Sequence, residues 1–169
     1  MNRNMQSLQN VFLNQLAKKY ENTEVFDKGL FVRVLEIMTK NKLLNRKFFN
    51  RIIEQYGSFY EIFSQNDNLQ IISYFARINF TKHDILDVAI KKINFYNLDD
   101  NQKLALYNNL CRLDYFRNEK QIEIMRSLLR DLESYISKGE FNLYQSGFLN
   151  FYYSKTFFKE FYDKTVILE

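Results

Sequence analysis

The sequence predicts an all-α chain folded as an α-solenoid of about three to four stacked helical hairpins. Three observations carry this expectation. A short phrase recurs: Phe75-Ala76-Arg77 is answered by Leu110-Cys111-Arg112, and Met38-Thr39-Lys40 and Tyr153-Ser154-Lys155 complete four copies of an apolar, small, basic pattern. A further apolar residue follows each base at the same distance (Leu43, Phe80, Tyr115, Phe158), and the offsets of 37, 35 and 43 residues match the periods of stacked helical-hairpin arrays. Polar residues suited to capping (Asp27, Asn45, Thr81, Asp99, Asn118) stand ahead of apolar-periodic runs. Finally, no stretch alternates with period two for long enough to make a strand. With no proline and only four glycines, helix ends must be set by caps and turns.

The elements follow in order. Residues 1–30 form an N-terminal amphipathic helix or a targeting-like segment: Leu8, Val11, Phe12 and Leu16 can share one helical face, and the first twenty residues hold Arg3, Lys18 and Lys19 with no acid. Residues 31–138 are helical-hairpin repeats. Each recurring phrase ends a first helix, and a second apolar run follows it, at Phe48 to Ile53, Ile85 to Ile93 and Ile122 to Leu132. Capping-box spacing marks Thr81 to Asp84, Asp99 to Gln102 and Asn118 to Gln121. A helical hairpin cannot bury its apolar face alone, so neighbours stack, and the small residue (Thr39, Ala76, Cys111, Ser154) lets adjacent helices approach. Residues 139–169 are an aromatic C-terminal capping hairpin or a partner-binding tail, too apolar all round for a helix with solvent on one side. Phe148, Phe151, Tyr152, Phe157 and Phe161 are its candidate protein-binding residues.

Composition narrows the function classes. Hydrophobic residues at 46% and charged residues at 26% fit a globular chain and are too apolar for a disordered one. The richness in Phe, Tyr, Asn, Lys and Ile matches AT-rich codons, so aromatic abundance is poor evidence for base stacking. A formal charge of +4 permits RNA contact without the dense basic surface of a nonspecific duplex binder. One cysteine, Cys111, excludes an internal disulfide and a cysteine-built zinc site. No window approaches eighteen consecutive apolar residues, so no transmembrane segment is expected.

Catalytic chemistry has no sequence foothold. There is no Gly-rich phosphate loop, no paired cysteines and no His-Glu-x-x-His, and the one histidine, His83, is expected at the surface of a first helical turn. No catalytic, metal-ligating or cofactor-binding residue is therefore assigned. The constellation that remains is the basic column Lys40, Arg77, Arg112 and Lys155, which stacked hairpins would align into a ladder able to follow a phosphate backbone. Helix-end cations also meet the C-terminal dipole favourably, which is the plainer account of the same column. Residues 31–66 are the more basic end, with six bases against three acids, and Arg46, Lys47 and Arg51 share one short helix there.

Two phrases, "FSQNDNLQIISYFARINF" (63–80) and "NLDDNQKLALYNNLCRLDYF" (97–116), resemble the helical repeats of the FAST-kinase-domain and RAP-domain organellar proteins, the heptatricopeptide or octotricopeptide repeats. The chain carries Asn79 and Asp114 after the base, where that family usually has Trp and Gly, and no RAP domain is expected in the residues that remain. The resemblance implies a non-catalytic protein of the mitochondrial matrix that binds RNA, as a mitoribosome component or RNA-processing factor. It leaves open a protein-binding accessory subunit of a respiratory or other large mitochondrial assembly.

Overall fold

In a computed structural model of the chain, residues 11, 15, 27–40 and 46–137 are described, the side chains of 46–48 and 133–137 excepted. Among them are six α-helices: α1 (Lys28–Lys40), α2 (Arg46–Phe59), α3 (Gln65–Arg77), α4 (His83–Lys91), α5 (Asp100–Arg112) and α6 (Glu119–Ser137). Short 3-10 turns lie at Tyr60–Ile62 and Phe95–Asn97, and no strand occurs among the described residues. The chain is all-α there. It divides into two compact units, one formed by Met1–Ile78 and Asp84–Lys92, the other by Asn79–His83 and Ile93–Glu169.

The recurring phrase has a structural counterpart. Helices α1, α3 and α5 are each 13 residues long, and each closes on the base of its copy: Lys40, Arg77, Arg112. Counting from each helix start, four positions are buried in all three copies: Val34/Ile71/Leu106, Leu35/Ile72/Tyr107, Met38/Phe75/Leu110 and Thr39/Ala76/Cys111. This spacing of one and three residues draws a single stripe on a 3.6-residue helix. The small residue is inside and the base outside in these three copies.

Between Tyr60 and Phe80, and again 35 residues later, the backbone takes the same course. Each 3-10 turn ends on a buried extended residue, Phe63 (φ −83°, ψ 130°) or Leu98 (φ −89°, ψ 135°). Next comes an N-cap, Ser64 (φ −72°, ψ 169°) or Asp99 (φ −71°, ψ 166°), and both make complete capping boxes, with Asp67 and Gln102. After the helix and one bridging residue, Asn79 (φ 53°) and Asp114 (φ 52°) take the left-handed conformation. In the second copy Tyr115 N–H donates to Leu110 O at 3.0 Å and Asp114 N–H to Cys111 O at 3.1 Å, the two bonds of a Schellman stop. The residues that depart from the resembling repeats thus occupy the position where glycine is the least strained choice.

The other expected caps divide. Asp27 caps α1, its Oδ1 accepting from Leu30 N–H at 3.1 Å. Asn118 Oδ1 accepts from Gln121 N–H at 3.0 Å, but the Gln121 side chain accepts from Arg117 N–H rather than closing the box on Asn118. Helix α4 starts at His83, two residues beyond Thr81. Asn45 lies outside the described residues.

In the first unit, α1 packs against α3. Lys28 Nζ reaches Asp67 Oδ2 at 2.9 Å, so the two helices begin side by side. Burial alone would raise the Asp67 carboxyl, but the bonds from Lys28 and Ser64 outweigh it and hold the group below its ordinary value. The Phe31 ring stacks on Tyr56 (centroids 5.7 Å apart) and meets the edge of Phe63 (5.2 Å). Inside this cluster the Tyr56 hydroxyl donates to Oδ1 of Asn68, a fully buried residue whose Nδ2 donates to Ser64 O at 2.8 Å. Helix α2 approaches α4 at Gly57, where a methyl group would sit 3.5 Å from Ile85 Cδ1.

In the second unit α5 packs against α6, and Leu104 and Leu110 of the one and Met125, Leu128 and Leu132 of the other are buried. Lys103 Nζ meets Asp131 Oδ2 at 3.0 Å across the pair. His83 is half-buried rather than a surface residue, because its ring lies parallel to Tyr115 (6.2 Å, 4°).

Two expected outcomes follow from this packing. Replacing Tyr56 by Phe leaves Asn68 Oδ1 buried without its donor and lowers unfolding free energy by about 1–3 kcal/mol in urea melts. Asn79→Gly and Asp114→Gly each relieve a left-handed non-glycine residue and raise stability by up to about 1 kcal/mol, whereas Asn79→Val lowers it.

Candidate nucleic-acid interface

The basic column is placed as three exposed residues at equivalent helix ends. Lys40 closes α1, but its ammonium lies 2.6 Å from Glu36 Oε1, and Arg33 contacts the same carboxylate at 3.1 Å. The hydrogen bond from Lys40, then its charge, hold the Glu36 carboxyl below its ordinary value. Much of the Lys40 charge is therefore answered within its own helix. Arg77 closes α3, exposed, with its guanidinium carbon 5.9 Å from the centroid of the half-exposed Tyr74 ring. Arg112 closes α5, exposed, in the other unit. Lys155 lies outside the described residues, as do Phe148, Phe151, Tyr152, Phe157 and Phe161.

Arg46 and Lys47 open α2, and Arg51 stands exposed on it one turn further along. The first turn of α2 has no acid. Between Glu36 and Glu54 the chain carries five bases (Lys40, Lys42, Arg46, Lys47, Arg51) and no acid. Arg77 belongs to the same end of the unit: Phe49, early in α2, meets Phe75, near the end of α3, edge to face at 6.2 Å. The start of α2 and the end of α3 therefore lie together.

What this assembly can do chemically is attract anions. Among the described residues no group of three or more His, Cys, Asp or Glu could hold a metal ion, and no helix is long and apolar enough to cross a membrane. Burial pushes the Cys111 thiol up to about 12, Asp114 adds to this, and Tyr107 pulls the other way. The side chain is packing material.

Large apolar groups are exposed at the turns between repeats. Ile62 is 51% exposed on the first 3-10 turn and Tyr96 is 93% exposed on the second. Sequence periodicity did not single out either one, since both lie outside the helical stripes; the turn residues around them were the available signal.

Comparison with family models, with curated proteins and with solved structures returned no match for this chain.

Because only the thiolate is a good nucleophile, Cys111 in the folded chain is expected to react with a thiol reagent at pH 8 far more slowly than in urea. Equal rates in the two states would show that the thiol is accessible.

Proposed function

We propose that the chain is a non-catalytic α-solenoid that binds RNA in the mitochondrial matrix, as a mitoribosome component or an RNA-processing factor. The observation that carries this reading is the acid-free run of five bases across the end of α1 and the start of α2, with Arg77 beside it. Within that run no carboxylate stands in sequence to answer the charge, and an anion from outside would do so. A phosphate backbone supplies one at each nucleotide, and its binding is driven by counterion release. Solenoid stacking is supported within the first unit by α1 lying on α3 and by the approach of α2 to α4. The mitochondrial setting rests on the resemblance to organellar repeat proteins.

A second reading, a protein-binding accessory subunit of a large mitochondrial assembly, is favoured by the exposed Ile62 and Tyr96 at equivalent turns. Apolar groups held in solvent are typical anchors for a partner surface.

The two separate in one experiment. The combined variant Arg46→Glu, Lys47→Glu and Arg51→Glu is expected to weaken RNA binding more than tenfold and to flatten the salt dependence, with a log–log slope smaller by about 2. A control with the same charge change at exposed positions elsewhere, Lys82→Glu, Lys91→Glu and Lys120→Glu, is expected to change the slope much less. Equal effects of the two variants would sink the assigned surface. A wild-type chain that ignores RNA and co-purifies with protein subunits would select the second reading.

A further inference from the structure

We propose that Tyr74 and Arg77 form a shelf on which an unpaired base of single-stranded RNA stacks, an inference that rests on the RNA reading above. The geometry is local and specific. Three residues apart on α3, the two side chains share one face of the helix, and the guanidinium lies over the phenol ring at 5.9 Å. A guanidinium is planar and has two faces. Its central carbon lies 5.9 Å from the Tyr74 ring centroid and the side chain as a whole is exposed, so the group is open to solvent beside an aromatic ring. Among the described residues Arg77 has no carboxylate within ion-pair distance, unlike Lys40, whose ammonium is held by Glu36.

The copies in α1 and α5 do not carry this pair. The residue three positions before the base is Ile37 in α1 and Asn109 in α5. The pair is thus absent from α1 and α5 and stands beside the most basic stretch of the chain, so the buried stripe those helices share does not require it. That placement fits a ligand with phosphates for the acid-free run and an aromatic plane for Arg77. Bases in a duplex have both faces covered by their neighbours, so a base able to stack on a side chain comes from a single strand.

The test uses the full chain and fluorescence anisotropy with a short labelled single-stranded RNA and the same sequence as a duplex. Arg77→Lys keeps the charge and removes the plane; Tyr74→Leu keeps an apolar support and removes the ring. Both variants are expected to weaken single-strand binding by at least about fivefold, the lower range for one lost stacking contact. The salt slope and the melting temperature should stay at wild-type values for Arg77→Lys. Wild-type affinity in Arg77→Lys would overturn the shelf while leaving the RNA reading intact, as would duplex binding as tight as single-strand binding. A wild-type chain that binds neither RNA would overturn both readings.

Discussion

The hydrogen bond from the Tyr56 hydroxyl to Asn68 is the interaction on which the first unit turns. It is made in an aromatic cluster formed by Phe31, Phe63 and Phe75 around Tyr56. There water cannot replace a missing partner, so a polar atom out of register leaves an uncompensated group. Asn68 is in the first turn of α3, and its amide also bonds the carbonyl of Ser64, the cap of that helix. One side chain therefore joins α2 to the start of α3 and fixes where α3 begins. The consequence reaches α1, because Asp67, the partner of Lys28, is both the neighbouring residue and part of the same cap. The lowered pKa of Asp67 also gives the arrangement a pH dependence. Its contribution is complete above the ordinary carboxylate range and is lost as pH falls through the folded value, when protonation releases Lys28.

The fourth position of the first helices shows how one packing problem takes different chemical solutions. Phe31 fills it in α1 with an aromatic ring, Asn68 in α3 with a buried amide, and Lys103 in α5 with an ammonium that reaches Asp131 on α6. The stripe beside it stays apolar or small in all three. Repetition is therefore strict where side chains must interdigitate and loose where a helix is tied to its neighbour. The turns obey the same division. Backbone angles from Phe63 to Asn79 are reproduced from Leu98 to Asp114, although few residue identities are.

This division explains what could be read before the structure. Helices α1, α3 and α5, their buried small residues and their exposed terminal bases follow from local periodicity, and so does the capping box at Asp99. Ser64 passed unnoticed because its box closes with Asp67 inside a polar stretch, "SQNDN", that looks like ordinary loop. Asn68 was invisible for a related reason: its burial depends on Tyr56, twelve residues earlier, and nothing in its own neighbourhood marks it as core. His83 was placed at the surface by its position in a first turn, yet Tyr115 covers one face of its ring. At the candidate site the bases were legible as a column. Their inequality was not, since it depends on whether a neighbour such as Glu36 or Tyr74 faces the base.

That inequality sorts the cations by what their own helices do for them. Lys40, Arg77 and Arg112 end helices, where each gains about 0.3–1 kcal/mol from the dipole and needs no ligand to account for it. A cation at a helix end is weak evidence for a bound anion; a run of five bases without a single acid is stronger. That run and the end of α3 meet where Phe49 touches Phe75, so Arg77 stands at the same end of the unit. A negatively charged strand lying across that end would meet the run and Arg77 together. This gives the aromatic contact between α2 and α3 an electrostatic consequence as well as a packing one.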